Sequence, residues 1–273
     1  MAEDRHDLFD AGWLSLREPA DHRSRHEPFA TRLDEEGRAR GWREVVDLGG
    51  GTGSNVRWLS PRLSWARQWT VVDHDPALLA RVRPPAAGAL RTLRGDLSRE
   101  GLAAAQHAHL VTASALLDLA SREWVQALAE VCAAAGCGLL FALSYDGEIR
   151  LTGEADPDDG LVTEAVNRHQ LGEKGMGTAL GPGATAAAVA ALTAGGYRCL
   201  TAPSPWVLAG AGDAALARAL MEGWVEAAEE IHPRASGRLR GWLDRRVAAF
   251  RAGALGIRVG HTDLLALPPD AAT

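Results

Sequence analysis

The sequence predicts an α/β fold, a mostly parallel doubly wound sheet, and three observations carry the prediction. Val45-Val46-Asp47-Leu48 is a short apolar run that breaks at glycines and passes into Asn55–Leu59, which has helical spacing. Short apolar runs then alternate with helix-spaced segments, the order of a sheet wound by crossovers. Gly138–Leu143 is wholly apolar, as a central strand covered on both faces must be.

Taken in order, residues 1–43 read as helices, with Leu8, Trp13, Leu14 and Leu16 available for packing and Arg17 and Arg23 pointing elsewhere. The first strand and its helix stop at Pro61. Trp69–Asp73 is the second strand. Asp75-Pro76 then caps a helix with the apolar face Leu78, Leu79 and Val82. Leu90–Leu93 and Leu110–Ala113 are the third and fourth strands. A helix over 121–135 follows, with Trp124, Leu128 and Val131 in register. The fifth strand ends at Leu143, and residues 146–183 form an excursion dense in Asn167, Arg168, His169, Gln170, Glu173 and Lys174. It leaves from the carboxyl ends of the strands, where open α/β sheets bind ligands, and reads as a substrate-facing lid.

An Ala-rich helix (184–194) returns to a sixth strand, Tyr197–Ala202. Two amphipathic helices follow, one with Leu216, Leu220, Trp224 and Ile231, the other with Leu239, Trp242, Leu243, Val247 and Phe250. The last strand is placed at 257–267; a rival placement puts it at Trp206-Val207-Leu208 and makes the tail an appendage. The units are therefore 1–43 (helices over the ligand site), 44–202 (the core, with its excursion), 203–256 (a helical cap insert) and 257–273 (last strand and tail).

Bulk properties narrow the function classes. A formal charge of −6 over 273 residues gives no global field for nucleic acid. Arginines cluster near 17–43 and 234–251 and read as solvated helix faces. Lys174 is the sole lysine, a bias that with the high Ala, Gly and Arg content suggests a GC-rich bacterial coding sequence. Cys132, Cys137 and Cys199 have no metal-ligand spacing and sit in apolar context, which fits a reducing cytoplasm. The charged start Met1–His6 is not followed by an apolar run, and no stretch approaches the roughly 20 apolar residues of a membrane span. A cytoplasmic protein acting on a small molecule is expected, as monomer or homodimer.

The glycines of the first turn stand at 49, 51 and 53. A dinucleotide fingerprint needs one at 54 or 56, where Ser54 and Val56 stand. Asp47-Leu48-Gly49-Gly50-Gly51-Thr52-Gly53 instead resembles the first motif of the class I S-adenosylmethionine (SAM) methyltransferases. Trp69–Asp73 resembles their second strand, whose terminal acid holds the ribose hydroxyls; Asp73 lies 24 residues beyond Gly49. Arg94-Gly95-Asp96-Leu97 resembles the segment that meets adenine. Leu110–Asp118 resembles the fourth strand and the loop below the reacting methyl.

The resemblance implies a Rossmann-like sheet of seven strands with the last antiparallel, preceded by N-terminal helices and interrupted by the C-terminal two-helix insert. It also implies a cofactor site. Asp47 would organise the turn and face the methionine ammonium. Gly49, Gly50, Gly51, Gly53 and Asn55 would form the turn and helix start. Asp73 would accept from the diol, His74 and Leu97 would flank adenine, and Asp96 would accept from its amino group. Ser114 would lie near the methyl, and Trp13 and Arg17 would cover the cofactor, Arg17 toward the methionine carboxylate.

Methyl transfer needs alignment and exclusion of water, and a base only where the acceptor is protonated. His169 is the base candidate, with Tyr145 and Asp146 positioning the acceptor; a surface histidine without a role is the competing reading. His107 and His109 sit at the amino end of the fourth strand. His261 and Asp263 share one strand face but do not make a metal site. Ser114-Ala115-Leu116-Leu117 replaces an Asn-Pro-Pro-Tyr-like motif, which argues against nucleobase or glutamine amide methylation. Three functions stay open: methyl transfer to O or N of a small molecule, a SAM-binding scaffold, and a nicotinamide-dependent reductase. Asp73→Ala is expected to weaken SAM roughly tenfold or more with little change in melting temperature.

Overall fold

A computed structural model describes residues 10–85 and 87–270; Leu8 lies outside them. Two helices come first. α1 (Ala11–Ser24) starts at Asp10, whose carboxylate accepts from Trp13 N, and α2 (Glu27–Arg40) stops at left-handed Gly41. The sheet then builds from β1 (Glu44–Leu48), β2 (Gln68–Asp73), β3 (Ala89–Arg94), β4 (Leu110–Ser114), β5 (Gly138–Gly153), β6 (Arg198–Pro203), β7 (Trp206–Leu208) and β8 (Leu255–Leu267). Its order is β3-β2-β1-β4-β5-β8-β6, with β7 added beside β8. β1 to β5 run parallel, and β8 runs antiparallel to β5, β6 and β7. The seven-strand path with its antiparallel member is the one the sequence predicts. The rival strand at 206–208 exists, but as a three-residue partner of β8.

Crossovers supply α3 (Ser54–Leu59), α4 (Pro76–Leu79), α5 (Leu102–Ala105), α6 (Arg122–Ala135), α7 (Asp159–His169) and α8 (Ala184–Ala194). One sheet face packs Val46, Leu48 and Val111 against Trp124, Leu128 and Cys132 of α6 and Ala188 and Leu192 of α8. The other packs Val45, Trp69 and Leu110 against Phe29 and Leu33 of α2. Each fully buried Val, Leu or Phe side chain among these contributes about 1.5–3 kcal/mol.

The fifth strand departs from expectation. It continues ten residues past Leu143, paired with β8, through register shifts between Phe141 and Ser144 and between Tyr145 and Ile149. Asp146-Gly147, read from sequence as the start of a loop, is the second bulge, with Gly147 at φ 92°. The excursion toward α7 therefore leaves from Gly153, farther out. Onto this ribbon pack α7, α9 (Ala214–Ile231) and α10 (Ser236–Arg251), sharing a core of Tyr145, Val162, Trp206, Met221, Trp224, Trp242 and Ile257. Asp156, Asp158 and Asp159 tie the base of α7 to Arg238, Arg245 and Arg246 of α10.

Candidate functional site at the carboxyl edge of the sheet

The turn after β1 takes its shape from its glycines. Gly49, Gly51 and Gly53 have φ of 60°, 52° and 81°, the left-handed region that a side chain disfavours. Gly50 has no room for one: a Cβ there would stand 2.4 Å from Val71 Cγ1 and 2.8 Å from Asp47 Oδ2. Gly49 N–H donates to Val72 O (2.8 Å), and Gly51 N–H donates to Asp73 Oδ2 (2.8 Å). Asp73 Oδ1 accepts from Asp75 N (2.9 Å). The carboxylate at the end of β2 is thereby fixed beside the glycine turn, 6% exposed. His74 stands next to it, with Nδ1 3.5 Å from Asp73 Oδ1 and its side chain half exposed. Gly95 N–H donates to Asp73 O (3.0 Å), bringing the Asp96–Leu97 segment to the same edge. Asp96 is exposed and accepts from Ser98 N (2.6 Å), and Leu97 is half-buried.

Beneath the turn lies a buried polar group. Asn55 Nδ2 donates to Asp47 Oδ1 (2.5 Å) and Thr112 Oγ1 (3.1 Å), and Asn55 Oδ1 accepts from Arg25 Nη1 (2.9 Å). Burial pushes the Asp47 carboxyl up to about 7, against the opposing pull of Asn55 and Arg25. Its Oδ2 has no hydrogen-bond partner, nor do Nε and Nη2 of Arg25, whose guanidinium rests over Trp58.

α1 roofs this edge. Leu14 Cδ1 lies 3.2 Å from where a Cβ on Gly51 would stand, Glu18 pairs with Arg57, and His22 Nε2 meets Ser54 Oγ at 3.0 Å. These three residues fall one turn apart, so one stripe of α1 runs along the glycine turn and the start of α3. The neighbouring stripe carries Trp13 and Arg17. The Arg17 guanidinium makes a two-point ion pair with Asp21 (2.9 and 3.2 Å) and lies 5.0 Å from the Trp206 ring centroid, while Trp206 Nε1 donates to Asp21 Oδ1 (3.0 Å).

Past the ends of β4 and β5 the backbone is strained. Ala115 (φ 53°) and Leu143 (φ 56°) are non-glycine residues in the left-handed region, each costing about 1–3 kcal/mol. Ala115 N–H donates to Ala142 O (2.9 Å) and Leu143 N–H to Asp263 Oδ1 (2.8 Å), which hold them there. Ser114 closes β4, half-buried. Tyr145 and His261 are cross-strand partners with ring centroids 6.3 Å apart, and His261 lies 5.2 Å from Trp206. Burial, with the Arg17 charge, pushes His261 down to about 3 and leaves its Nδ1 without a partner.

The sequence-predicted catalytic residues are not gathered in one place. Tyr145 Oη donates to Asn167 Oδ1 (2.8 Å) from α7, and burial raises its phenol. Asp146 is exposed, with Oδ1 accepting from Glu148 N within the bulge. His169 sits at the end of α7, its Nε2 3.0 Å from Glu230 Oε2 of α9 and its Nδ1 3.4 Å from Lys174 Nζ. Residues that sequence reasoning passed over as site members also lie at this edge: Asp21, Arg25, Trp206 and His261 through the contacts above, and Asp118 on the turn after β4. The signals present were the i, i+4 spacing of Trp13 with Arg17 and the alternation of His261 with Asp263. A cavity of about 520 Å3 lies apart from all of these, against β1–β3 and α5, lined by Thr70, Arg91, Glu100 and His107. No group of metal-ligating side chains occurs among the described residues, and no helix of them is long and apolar enough to cross a membrane.

Residues 45–138 match the family described as "Methyltransferase domain". No curated protein matches the chain. Similar solved structures include a SAM-dependent methyltransferase from Geobacter sulfurreducens in complex with S-adenosyl-L-homocysteine (15% identity, 96% of this chain and 99% of that one, TM-score 0.43). A putative methyltransferase from Bacillus halodurans is another (12% identity, 88% and 98%, TM-score 0.49). Human N-acetylserotonin methyltransferase in complex with SAM is a third (17% identity, 69% and 48%, TM-score 0.42); the chain spans about half the length of that enzyme. The fold rests on the sheet order, not on these likenesses.

Proposed function

We propose that this chain, which carries a class I SAM-dependent methyltransferase domain over residues 45–138, transfers a methyl group from SAM to an oxygen or nitrogen of a small molecule. The observation that carries the reading is the Gly51 N–H bond to Asp73 Oδ2. It fixes a carboxylate beside a turn with no side chains on it, and that pairing suits a ligand with a diol at one end and an amino acid at the other.

The residues fit the cofactor in chemistry as well as place. Asp73 keeps free lone pairs on both oxygens for the ribose hydroxyls. His74 and Leu97 stand at the same edge for the adenine, with Asp96 exposed near its amino group. The bare amides of Gly49 to Gly53 and the start of α3 would approach the methionine part, with Asn55 and Asp47 below, and α1 would exclude water from above. When bound, SAM supplies an electrophilic methyl on a sulfonium and leaves as S-adenosyl-L-homocysteine.

The acceptor would lie at the ends of β4, β5 and β8, between α1 and β7, where Trp13, Trp206, Tyr145 and His261 gather around the Arg17–Asp21 pair. An aromatic cluster of this kind suits a small, largely apolar body, which supports a metabolite rather than a macromolecule. Calorimetry of the full chain with SAM, S-adenosylhomocysteine and NADH, followed by turnover on a panel of small alcohols, phenols and amines, tests this. Binding of the two sulfur ligands with turnover is expected. Binding without any turnover would favour a scaffold, and tight NADH binding alone a reductase.

A further inference from the structure

We infer that Lys174 is an activated amine and an acylation site, taking acyl groups from small acyl phosphates through a relay with His169 and Glu230. Lys174 Nζ lies 3.4 Å from His169 Nδ1, and His169 Nε2 lies 3.0 Å from Glu230 Oε2. The three residues come from the loop after α7, the end of α7 and the last turn of α9. An ammonium only donates, so Nδ1 carries the lone pair; the N–H of the neutral ring then stands on Nε2 and donates to the carboxylate. A nucleophile, a base within its reach and a third group that orients the base are thereby linked, the arrangement that activates a weak nucleophile. Lys174 and His169 are half-buried and Glu230 is exposed, so a small reagent has access to the amine.

The residue type fits the role. Lys174 is the sole lysine among the 29 basic residues of the chain. Arginine serves the ion pairs of α10 and β8, such as Arg245 with Asp156 and Arg258 with Glu148. A guanidinium stays protonated and is no nucleophile, whereas an ammonium gives up a proton to become one. The loop keeps the amine in place. Lys174 N–H donates to Gly177 O (3.2 Å) inside a bridge between Glu173 and Thr178. The Glu173 carboxylate is occupied there, accepting from Thr178 Oγ1 (2.6 Å). Leu180 N–H donates to Ala120 O (2.9 Å) and ties the loop to the turn after β4. In the reaction the ammonium passes one proton to His169 Nδ1, and the freed lone pair bonds the acyl carbon. The bond from that carbon to the phosphate oxygen breaks, and the phosphate leaves with the electron pair and the second proton of the amine. The imidazolium, balanced by Glu230, returns its proton to water. The product amide carries no charge, so acylation ends the charged contact between the loop and the end of α7.

The probe is acetyl phosphate, added to the full chain together with Nα-acetyl-lysine amide as a free amine in the same tube. With a single lysine in the chain, peptide mass mapping follows its acetylation directly. Lys174 is expected to react about tenfold faster than the free amine. His169→Gln keeps a polar side chain but removes the base, and should bring Lys174 down to the rate of the free amine. Glu230→Gln should slow it by about threefold, since an amide still orients the ring but does not balance its charge. A wild-type rate at or below that of the free amine overturns the inference, and so does a rate unchanged in His169→Gln. Should His169→Gln not fold, Glu230→Gln on the exposed surface of α9 decides in its place, an unchanged rate overturning the inference equally. Methyl donor and acceptor do not enter this readout, so its result and the methyltransferase reading stand or fall separately.

Discussion

Asp73→Ala removes the acceptor of two backbone N–H groups at once, Gly51 at 2.8 Å and Asp75 at 2.9 Å. Hydrogen bonds to a charged group net about 1.5–3 kcal/mol each. Gly51 is buried and would be left unpaired, whereas water can reach the half-buried Asp75, so the summed loss is about 2–4 kcal/mol. In a chain of this size that lowers the melting temperature by roughly 4–7 °C. Sequence alone predicts an almost unchanged melting temperature, because a carboxylate at a strand end reads as a ligand group only; the structure makes it a clasp of the turn as well. Asp73→Asn keeps one carbonyl oxygen and should lose about half as much, yet bind S-adenosylhomocysteine nearly as poorly, since the charge is gone. Differential scanning fluorimetry and calorimetry on both variants check this. An Ala variant that melts like the wild type would refute the clasp, and one that binds as well would remove Asp73 from the site.

Asn55→Ala leaves Asp47 buried with no donor and frees Thr112 and Arg25 as well, so urea unfolding should show a loss of about 2–4 kcal/mol. Gly50→Ala drives a methyl into Val71 and Asp47 Oδ2, and should cost about 1–3 kcal/mol and weaken S-adenosylhomocysteine, measured by the same melts and by calorimetry. Stability against pH carries opposing terms. Asp47 and Asp118 hold protons up to about 7 and about 6 in the fold but not when unfolded, so each lowers stability as pH rises from about 4 through those values. His261, pushed down to about 3, gives stability that is present above its unfolded value of 6.5 and lost as pH falls toward 3. Urea midpoints across pH 4–8 should therefore fall less steeply on the acid side for His261→Gln, and on the alkaline side for Asp118→Asn, than for the wild type.

The sheet was legible because its signals are local. Val45–Leu48, Trp69–Asp73 and Gly138–Leu143 are β-branched or apolar runs bounded by glycine and acid, and the glycines at 49, 51 and 53 are required by backbone angles that no pairing overrides. The extension of β5 was hidden because Asp146-Gly147 has the composition of a turn; only pairing with β8, more than a hundred residues later, keeps it in the ribbon. The surroundings of the residues expected on the acceptor side were hidden for a related reason. His169 is the titratable residue that stands out in its segment, but α7 turns it to Glu230. His261 and Trp206 meet Tyr145 and Arg17 only once β7 and β8 are in place. Asp118 was visible as a letter in the post-β4 stretch, but its burial and missing partner are tertiary facts.

β5 and β8 stay paired, through two register shifts, from the carboxyl edge of the parallel strands out to Gly153 and Leu255, so the helices α7, α9 and α10 hang on the same two strands that border the candidate site. The insert helices are thereby joined to the sheet by hydrogen-bonded strands as well as by side chains. α1 is attached differently, meeting Gly51, Ser54 and Arg57 through the side chains of Leu14, His22 and Glu18.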